Sequence, residues 1–499
     1  MSAARPNVLF VVLDTVRKDR LSVYGHDEPT SPTLEAFAEE ARVYEEAVAP
    51  APWTLPVHAS MFTGLYPSQH GATQETPYLE GAETLATALS TAGYDTCCYS
   101  SNAWITPYTR VTAGFDAQDN FFKAMPGWLP SHRLASLWQF LNDHERLRGL
   151  ADRIVAVGNA IHERLAAGGS EASKTPEVVD TTIDFIEDRE PFFAFVNLMD
   201  AHLPYHPPEE YVEQFAPGVD SEAVCQNSKA YNCGATAIDD EEWADITGLY
   251  DAEIRHMDDA LGRLFGHLRE TGRWEDTMVI VCADHGELHG QHDLYGHEFN
   301  VYDDLVNVPL LVKHPDLAPG RDETTQVELV DLYHTILDAT GVEAAGEPLD
   351  RRRSLLDVSY RVGTGGPAAG AAPAPGETAF VEYHRPIVEL NQLESIAADA
   401  GIDLDADSRF YSRMRAGRRP DAKYIRNERI PDEAYRLDRD PGETEVLDGE
   451  DGAVAAVEAD LAAFESHVGG EWGDVSAADP LADMDAATKD RLRDLGYVE

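Results

Sequence analysis

The sequence predicts an α/β protein: a mostly parallel sheet between helices, followed by a smaller C-terminal antiparallel subdomain. Three observations carry that prediction. The apolar runs Val8–Leu13, Phe192–Met199 and Met278–Ala283 each end on an aspartate, namely Asp14, Asp200 and Asp284. Apolar runs of this length are the pattern of strands covered on both faces, as in parallel sheets flanked by helices. Strand-like and helix-like stretches alternate through the first half, which is the pattern of βαβ units with right-handed crossovers. Composition then changes abruptly at 363–376, where Gly, Ala and Pro leave almost no large side chain, so this stretch reads as a linker or loop.

In chain order, the Val8–Leu13 run is the first strand. Ser31 stands where a cap belongs before a helix-period stretch reaching Arg42. Thr54 holds a similar cap position, with Pro56 in the first turn and apolar residues following at helical spacing to Thr63. Ala86–Ala92 repeats the helical pattern, and Gly93 separates it from the strand-like run Tyr94–Ser100. Residues from about 125 to 190 are helix-rich and read as an insertion or lid, with Trp128, Leu137 and Trp138 as apolar anchors. An acidic helix spans Asp239–Thr271, and Val308–His314 reads as one more strand. Beyond the linker, the short runs Ala379–Tyr383, Tyr411–Arg415, Lys423–Arg426 and Tyr435–Asp438 suggest a small antiparallel sheet. The expected organisation is therefore a catalytic α/β domain at 1–362, the linker at 363–376, and a small-sheet subdomain with an acidic tail at 377–499.

Charge is the compositional outlier. The 499 residues carry 90 acidic against 39 basic side chains, a formal −51, and only seven of the basic ones are Lys. Disorder would also require low hydrophobicity, whereas 43% of this chain is apolar. The surplus fits a halophilic protein whose acidic surface stays hydrated in concentrated salt; an unusually acidic mesophilic enzyme is the other reading. Either way, nucleic acid and anionic membranes are excluded as general partners. No signal-like segment and no apolar run near 18 residues is present, so the chain is expected to be cytoplasmic and not inserted in a membrane. Five cysteines are too few and too odd in number for a disulfide framework. Oligomeric state has no signature here.

The chemistry-bearing residues cluster around the strand ends. Carboxylates there sit at the sheet edge where open α/β folds bind ligands. Asp14 and Asp284, with a loop holding His285, His289, His292 and His297, suggest a metal site. Glu287 reads either as a support for His285 or as a solvated side chain. The Thr54 segment is open to two readings as well. An ordinary capped core helix gives the same pattern, but a hydroxyl at a helix amino terminus, beside a divalent cation, could also ionise and attack an anionic ester. Asp200 either joins the metal site or only caps a turn. His70 and Asn102 are expected to line the pocket or stabilise its loops.

Several segments carry a family resemblance. They are Leu13-Asp14-Thr-Val-Arg-Lys-Asp-Arg-Leu-Ser-Val-Tyr-Gly25, the Thr54 segment through Phe62-Thr-Gly-Leu-Tyr-Pro67, and Asp200-Ala-His202-Leu-Pro-Tyr205. Asp284-His285-Gly-Glu287, Tyr435–Glu443 and Leu492-Arg-Asp-Leu-Gly-Tyr497 continue the series. In this order, over nearly the whole chain, they resemble the sulfatases of the alkaline phosphatase superfamily. The resemblance implies an alkaline-phosphatase-like fold and one divalent metal ion (Mg, Mn, Ca or Zn) held by Asp14, Asp284 and His285, with Thr54 as nucleophile also touching it. His202 and His297 fall where the family holds the substrate oxyanion or protonates the leaving group, and His58 takes the position of a catalytic Arg.

The departures from the family pattern point to a variant chemistry. Sulfatases oxidise the Cys or Ser of a Cys/Ser-x-Pro-x-Arg motif to formylglycine, whereas this chain reads Thr54-Leu-Pro56-Val-His58. The β-branched alcohol of Thr54 cannot be converted to that aldehyde, and Thr15 replaces the second Asp of the family. The chain therefore resembles the Thr-nucleophile phosphoesterase and phosphoglycerol-transferase branches. The expected function is a metal-dependent hydrolase or transferase cleaving a small anionic phosphate (or sulfate) ester through Thr54. A sulfatase working without formylglycine is the alternative, and a non-catalytic relative binding anionic glycans or lipids is a third possibility of a different class.

Overall fold

The computed structural model describes residues 5–74, 76–121, 173–356 and 377–468. The expected insertion at about 125–190 falls outside the described residues up to 172; its last part contains the helix Thr175–Ile186. The linker at 363–376 and the tail beyond 468 also lie outside.

The first ten strands are β1 (Asn7–Leu13), β2 (Arg42–Val48), β3 (Asp95–Ser100), β4 (Ala117–Asp119), β5 (Phe192–Leu198), β6 (Thr277–Cys282), β7 (Leu288–His289), β8 (Tyr295–Gly296), β9 (Asn307–Lys313) and β10 (Gly320–Glu328). Eight of them form one sheet in the order β10-β2-β9-β6-β1-β5-β3-β4, while β7 and β8 pair separately. Only β9 runs against its neighbours; the other pairings in this sheet are parallel. The mostly parallel sheet predicted from the apolar runs is thus what forms. Every residue of β1, β5 and β6 is buried, as two covered faces require. Because β3, β5, β1 and β6 are parallel neighbours, the residues just beyond their carboxyl ends emerge together at one edge of the sheet.

The helices depart from the sequence reading in their capping. The Thr54–Thr63 helix starts one residue earlier than expected: Trp53 is the extended flanking residue, and Thr54 is already helical rather than the cap. All ten of its residues are buried, which explains its lack of a polar stripe. Phe62 and His58 on this helix meet Phe195 of β5 edge-on, with ring centroids 4.7 and 5.7 Å apart. Ser31 precedes the Pro32–Ala38 helix but does not cap it. The carboxylate of Asp258 accepts from the Thr33 and Leu34 N–H groups instead, at 2.7 and 3.0 Å. Asp258 lies on the 31-residue helix Asp240–Glu270, whose own cap is Asp239, accepting from Glu242 N. Three acids fill the first turn of that helix and basic side chains its last, in keeping with the helix dipole.

The C-terminal region forms a four-stranded antiparallel meander of β11 (Ala379–Tyr383), β12 (Met414–Arg419), β13 (Ala422–Asn427) and β14 (Glu433–Tyr435). The second and fourth strands are displaced by two to four residues from the sequence reading, because Tyr411 lies in a short 3₁₀ turn and the chain leaves the sheet after Tyr435. The Gly452–Val468 helix covers this sheet, with Phe464 stacked on Phe380 at 4.4 Å.

Candidate active site

Asp14, Asp284 and His285 converge just beyond the ends of β1 and β6. Their candidate ligand atoms all lie within 4.8 Å of one another, and all three residues are buried. Main-chain groups orient them: Asp284 Oδ1 accepts from Thr15 N at 3.2 Å and from His285 N at 3.0 Å. His285 Nδ1 donates to Gly286 O at 3.0 Å, so its Nε2 is left bare, 3.4 Å from Asp284 Oδ2. Asp14 Oδ2 accepts from Asn102 Nδ2 at 2.7 Å and Asn197 Nδ2 at 2.9 Å. That leaves Asp14 Oδ1 and Asp284 Oδ2, both buried, without a hydrogen-bond partner. Burial and the neighbouring Asp284 push the Asp14 carboxyl well above the usual carboxylate range, and burial also raises Asp284. The two buried carboxylates, with free oxygens beside a bare imidazole nitrogen, have no Lys or Arg in contact among the described residues. Two oxygen donors and one nitrogen fit a divalent cation such as Mg²⁺, Mn²⁺ or Zn²⁺.

Thr54 sits against this group. Its Oγ1 lies 3.5 Å from His285 Nε2 and accepts from Asn102 Nδ2 at 3.3 Å. Asn102 follows β3 and is the hinge of the arrangement: one amide nitrogen reaches both Asp14 and Thr54, while its Oδ1 accepts from Trp104 N at 2.8 Å. His58 stands behind Thr54 rather than beside it. Its Nδ1 donates to the Thr54 carbonyl at 2.9 Å and lies 3.8 Å from Asp284 Oδ2, and burial holds the ring neutral by lowering its pKa. His70 braces the same helix from below, its ring 3.1 Å from Ser60 Oγ and accepting from Ala72 N.

His202 and His297 form the opposite wall. The His297 ring is 4.6 Å from that of His285 and 5.3 Å from that of His202, centroid to centroid. His202 Nδ1 donates to Leu203 O at 2.7 Å; burial and the neighbouring His297 hold this ring down to about 3, so it is neutral. His297 Nδ1 donates to Glu287 Oε1 at 3.1 Å. Burial alone would lower its pKa, but the carboxylates of Glu287 and Glu298 outweigh this and push it up to about 9, leaving an imidazolium. Both rings spend Nδ1 on the protein, which leaves Nε2 for a ligand.

Other residues fall elsewhere. Asp200 accepts from Thr175 Oγ1 and lies 3.8 Å from His256, away from the Asp14 group. His289 is buried against Tyr205 OH at 2.9 Å, and His292 stacks on Tyr302 at 3.8 Å, so neither serves the site. Glu287 supports His297 rather than His285. Three contributors were not singled out from the sequence. Asn197 was legible as a polar residue inside an apolar run. Lys229, which pairs with Glu298 at 2.5 Å, and Tyr383 gave no local signal.

The sulfatase family model matches residues 6–342. The chain belongs to the sulfatase family. Among sulfatase relatives, it is 25% identical over 367 residues to an arylsulfatase of Clostridium perfringens, covering 67% of this chain and 74% of that one. It is 27% identical over 415 residues to a multifunctional alkaline phosphatase superfamily protein of Trinickia caryophylli, covering 70% and 79%. The structure of a phosphonate monoester hydrolase of Agrobacterium radiobacter shares the fold, with a TM-score of 0.61 at 22% identity, covering 91% of this chain and 94% of that one.

Proposed function

We propose that this sulfatase-family protein is a metal-dependent hydrolase or transferase of small anionic phosphate-type esters, using Thr54 as its nucleophile. One observation carries the reading: Thr54 Oγ1 lies between His285 Nε2 and Asn102 Nδ2, beside the partnerless oxygens of Asp14 and Asp284. A divalent cation held by Asp14, Asp284 and His285 would acidify the adjacent hydroxyl and offset charge on the transferred group. Names among the relatives and fold neighbours include both sulfatases and phosphonate monoester hydrolases, so the central atom is the open choice. Threonine in place of the Cys or Ser that yields formylglycine favours direct attack at phosphorus over sulfatase chemistry.

The chain's own groups divide the work. Asn102 holds Thr54 Oγ1 in place while the Oγ1–phosphorus bond forms and the ester oxygen leaves. His297, charged and propped by Glu287, donates from Nε2 to that oxygen or to a non-bridging one. His297, neutral after that donation, takes back a proton from the water or alcohol that next displaces Thr54, which leaves as the alkoxide in which it attacked, while His202, neutral with its proton on Nδ1, offers its Nε2 lone pair as a hydrogen-bond acceptor to that incoming group. The large acidic surplus and five free cysteines fit a halophilic, cytoplasmic setting, and no helix among the described residues is long and apolar enough to cross a membrane.

The test is a parallel assay of an aryl phosphate monoester, a phosphodiester and an aryl sulfate in molar KCl, with and without chelator, on wild type and Thr54→Ala. Phosphoryl turnover that vanishes with chelator and with Thr54→Ala is expected. Turnover surviving in Thr54→Ala would remove the nucleophile, and a preference for the sulfate ester would overturn the phosphoryl reading.

A further inference from the structure

His297, Glu298 and Phe299 are three consecutive residues, each anchored to a different part of the molecule. His297 is held by Glu287, and Glu298 by Lys229 of the Ser228–Asn232 helix. The third anchor comes from the C-terminal sheet: Phe299 N donates to Tyr383 OH at 2.9 Å, and Tyr383 is the last residue of β11. Phe299 needs such an anchor, because it sits at φ 71 in the left-handed region, where a bulky side chain is a rare outlier. Two further residues of the same loop, His292 and Asp293, also have positive φ. A loop held in this way keeps its shape only while its surroundings dictate it. Tyr383 is 1% exposed, so its hydroxyl is fixed by packing, and Phe410 meets the Phe299 ring edge-on at 5.1 Å from the same C-terminal region.

We propose that Tyr383 is a positioning residue for the reaction: through the Phe299 N–H it fixes the backbone turn that presents His297 to the substrate, so the C-terminal sheet completes the active site. The Asp14–Asp284–His285 group draws on none of these contacts. Loss of Tyr383 OH therefore separates substrate handling from metal binding. This inference rests on the role assigned to His297 under the proposed function.

A double-mutant cycle in the full-length chain tests it, with Tyr383→Phe, His297→Gln and the pair assayed on a phosphodiester, and Mn²⁺ affinity measured by calorimetry on each. Tyr383→Phe is expected to lower kcat about 10-fold while leaving Mn²⁺ affinity within about twofold, and to have no further effect in the His297→Gln background, since coupled residues are not additive. An undiminished 10-fold loss in that background would overturn the positioning role, as would a wild-type kcat in Tyr383→Phe. Wild-type activity of His297→Gln itself would instead sink the role given to His297. If Tyr383→Phe does not fold, Phe410→Leu, which loosens Phe299 from its other side, replaces it in the cycle with the same outcomes.

Discussion

The two walls of the pocket are built on different principles. The wall proposed to hold the metal, the metal-side wall, is made of residues one to three positions beyond parallel strands of one sheet: Asn102 after β3, Asp14 after β1, and Asp284 and His285 after β6. Its partners are main-chain groups and neighbouring strand residues such as Asn197, so the sheet register itself sets the geometry. The His202–His297 wall hangs on loops. Its shape is set by the carboxylates of Glu287 and Glu298, by Lys229, and by contacts from a separate sheet.

The largest effect is expected at the point where the walls meet. Thr54→Ala should lower turnover at least about 10⁴-fold, since loss of the proposed covalent nucleophile leaves only binding and electrostatics, and steady-state kinetics would show it. On the metal-side wall, Asp284→Asn should cost on the order of 10³-fold in activity together with Mn²⁺ affinity. In chelator, that variant should melt no lower than wild type, because it removes one of two buried carboxylates that have no Lys or Arg in contact among the described residues; a lower melting temperature in chelator would contradict this account. On the other wall, His297→Gln should lose about 100-fold in kcat, the scale of one electrostatic donor, with Mn²⁺ affinity intact. Equal losses of metal affinity in Asp284→Asn and His297→Gln would mean that the walls are not separable.

The smallest expected effect concerns acid stability. Burial would raise the Glu298 carboxyl, but Lys229 and the charged His297 overcome this and hold it down to about 2, below its ordinary 4.5. The stability that this pair supplies is complete above about pH 4.5 and drains away as pH falls toward 2. Glu298→Gln should therefore flatten the fall in melting temperature between pH 4.5 and 2, while Asp95→Asn, an exposed change in the same fold, should not. An unchanged acid profile in Glu298→Gln would remove Glu298 from the network that holds the His297 wall.

The fold was legible because burial on both faces writes itself into sequence. β1, β5 and β6 must be largely apolar to lie inside a covered sheet, and their ends are marked by the first charged residues after them. The long acidic helix was legible for a related reason, since its cap at Asp239 and its terminal charges are local in the chain. Ser31 and Asp200 misled because local sequence offered them a role that a distant side chain or helix fills: Asp258 caps the helix, and Thr175 and His256 engage the aspartate. Strand ends beyond β11 drifted because short, half-polar strands carry a weak periodic signal.

Neighbouring residues alone carry the mostly parallel core, the order of its strand-end carboxylates, and Thr54 at the place where the family resemblance puts formylglycine. These follow from chemistry carried by neighbouring residues, or from a motif read in order. Only the tertiary structure decided that Asn102 bridges Asp14 and Thr54, that Glu287 serves His297 rather than His285, and that Tyr383 reaches the loop behind His297. Each of those contacts joins atoms brought together by chain crossovers or by the turn of a loop, and hydrogen bonds of that kind leave no periodicity for a sequence to show.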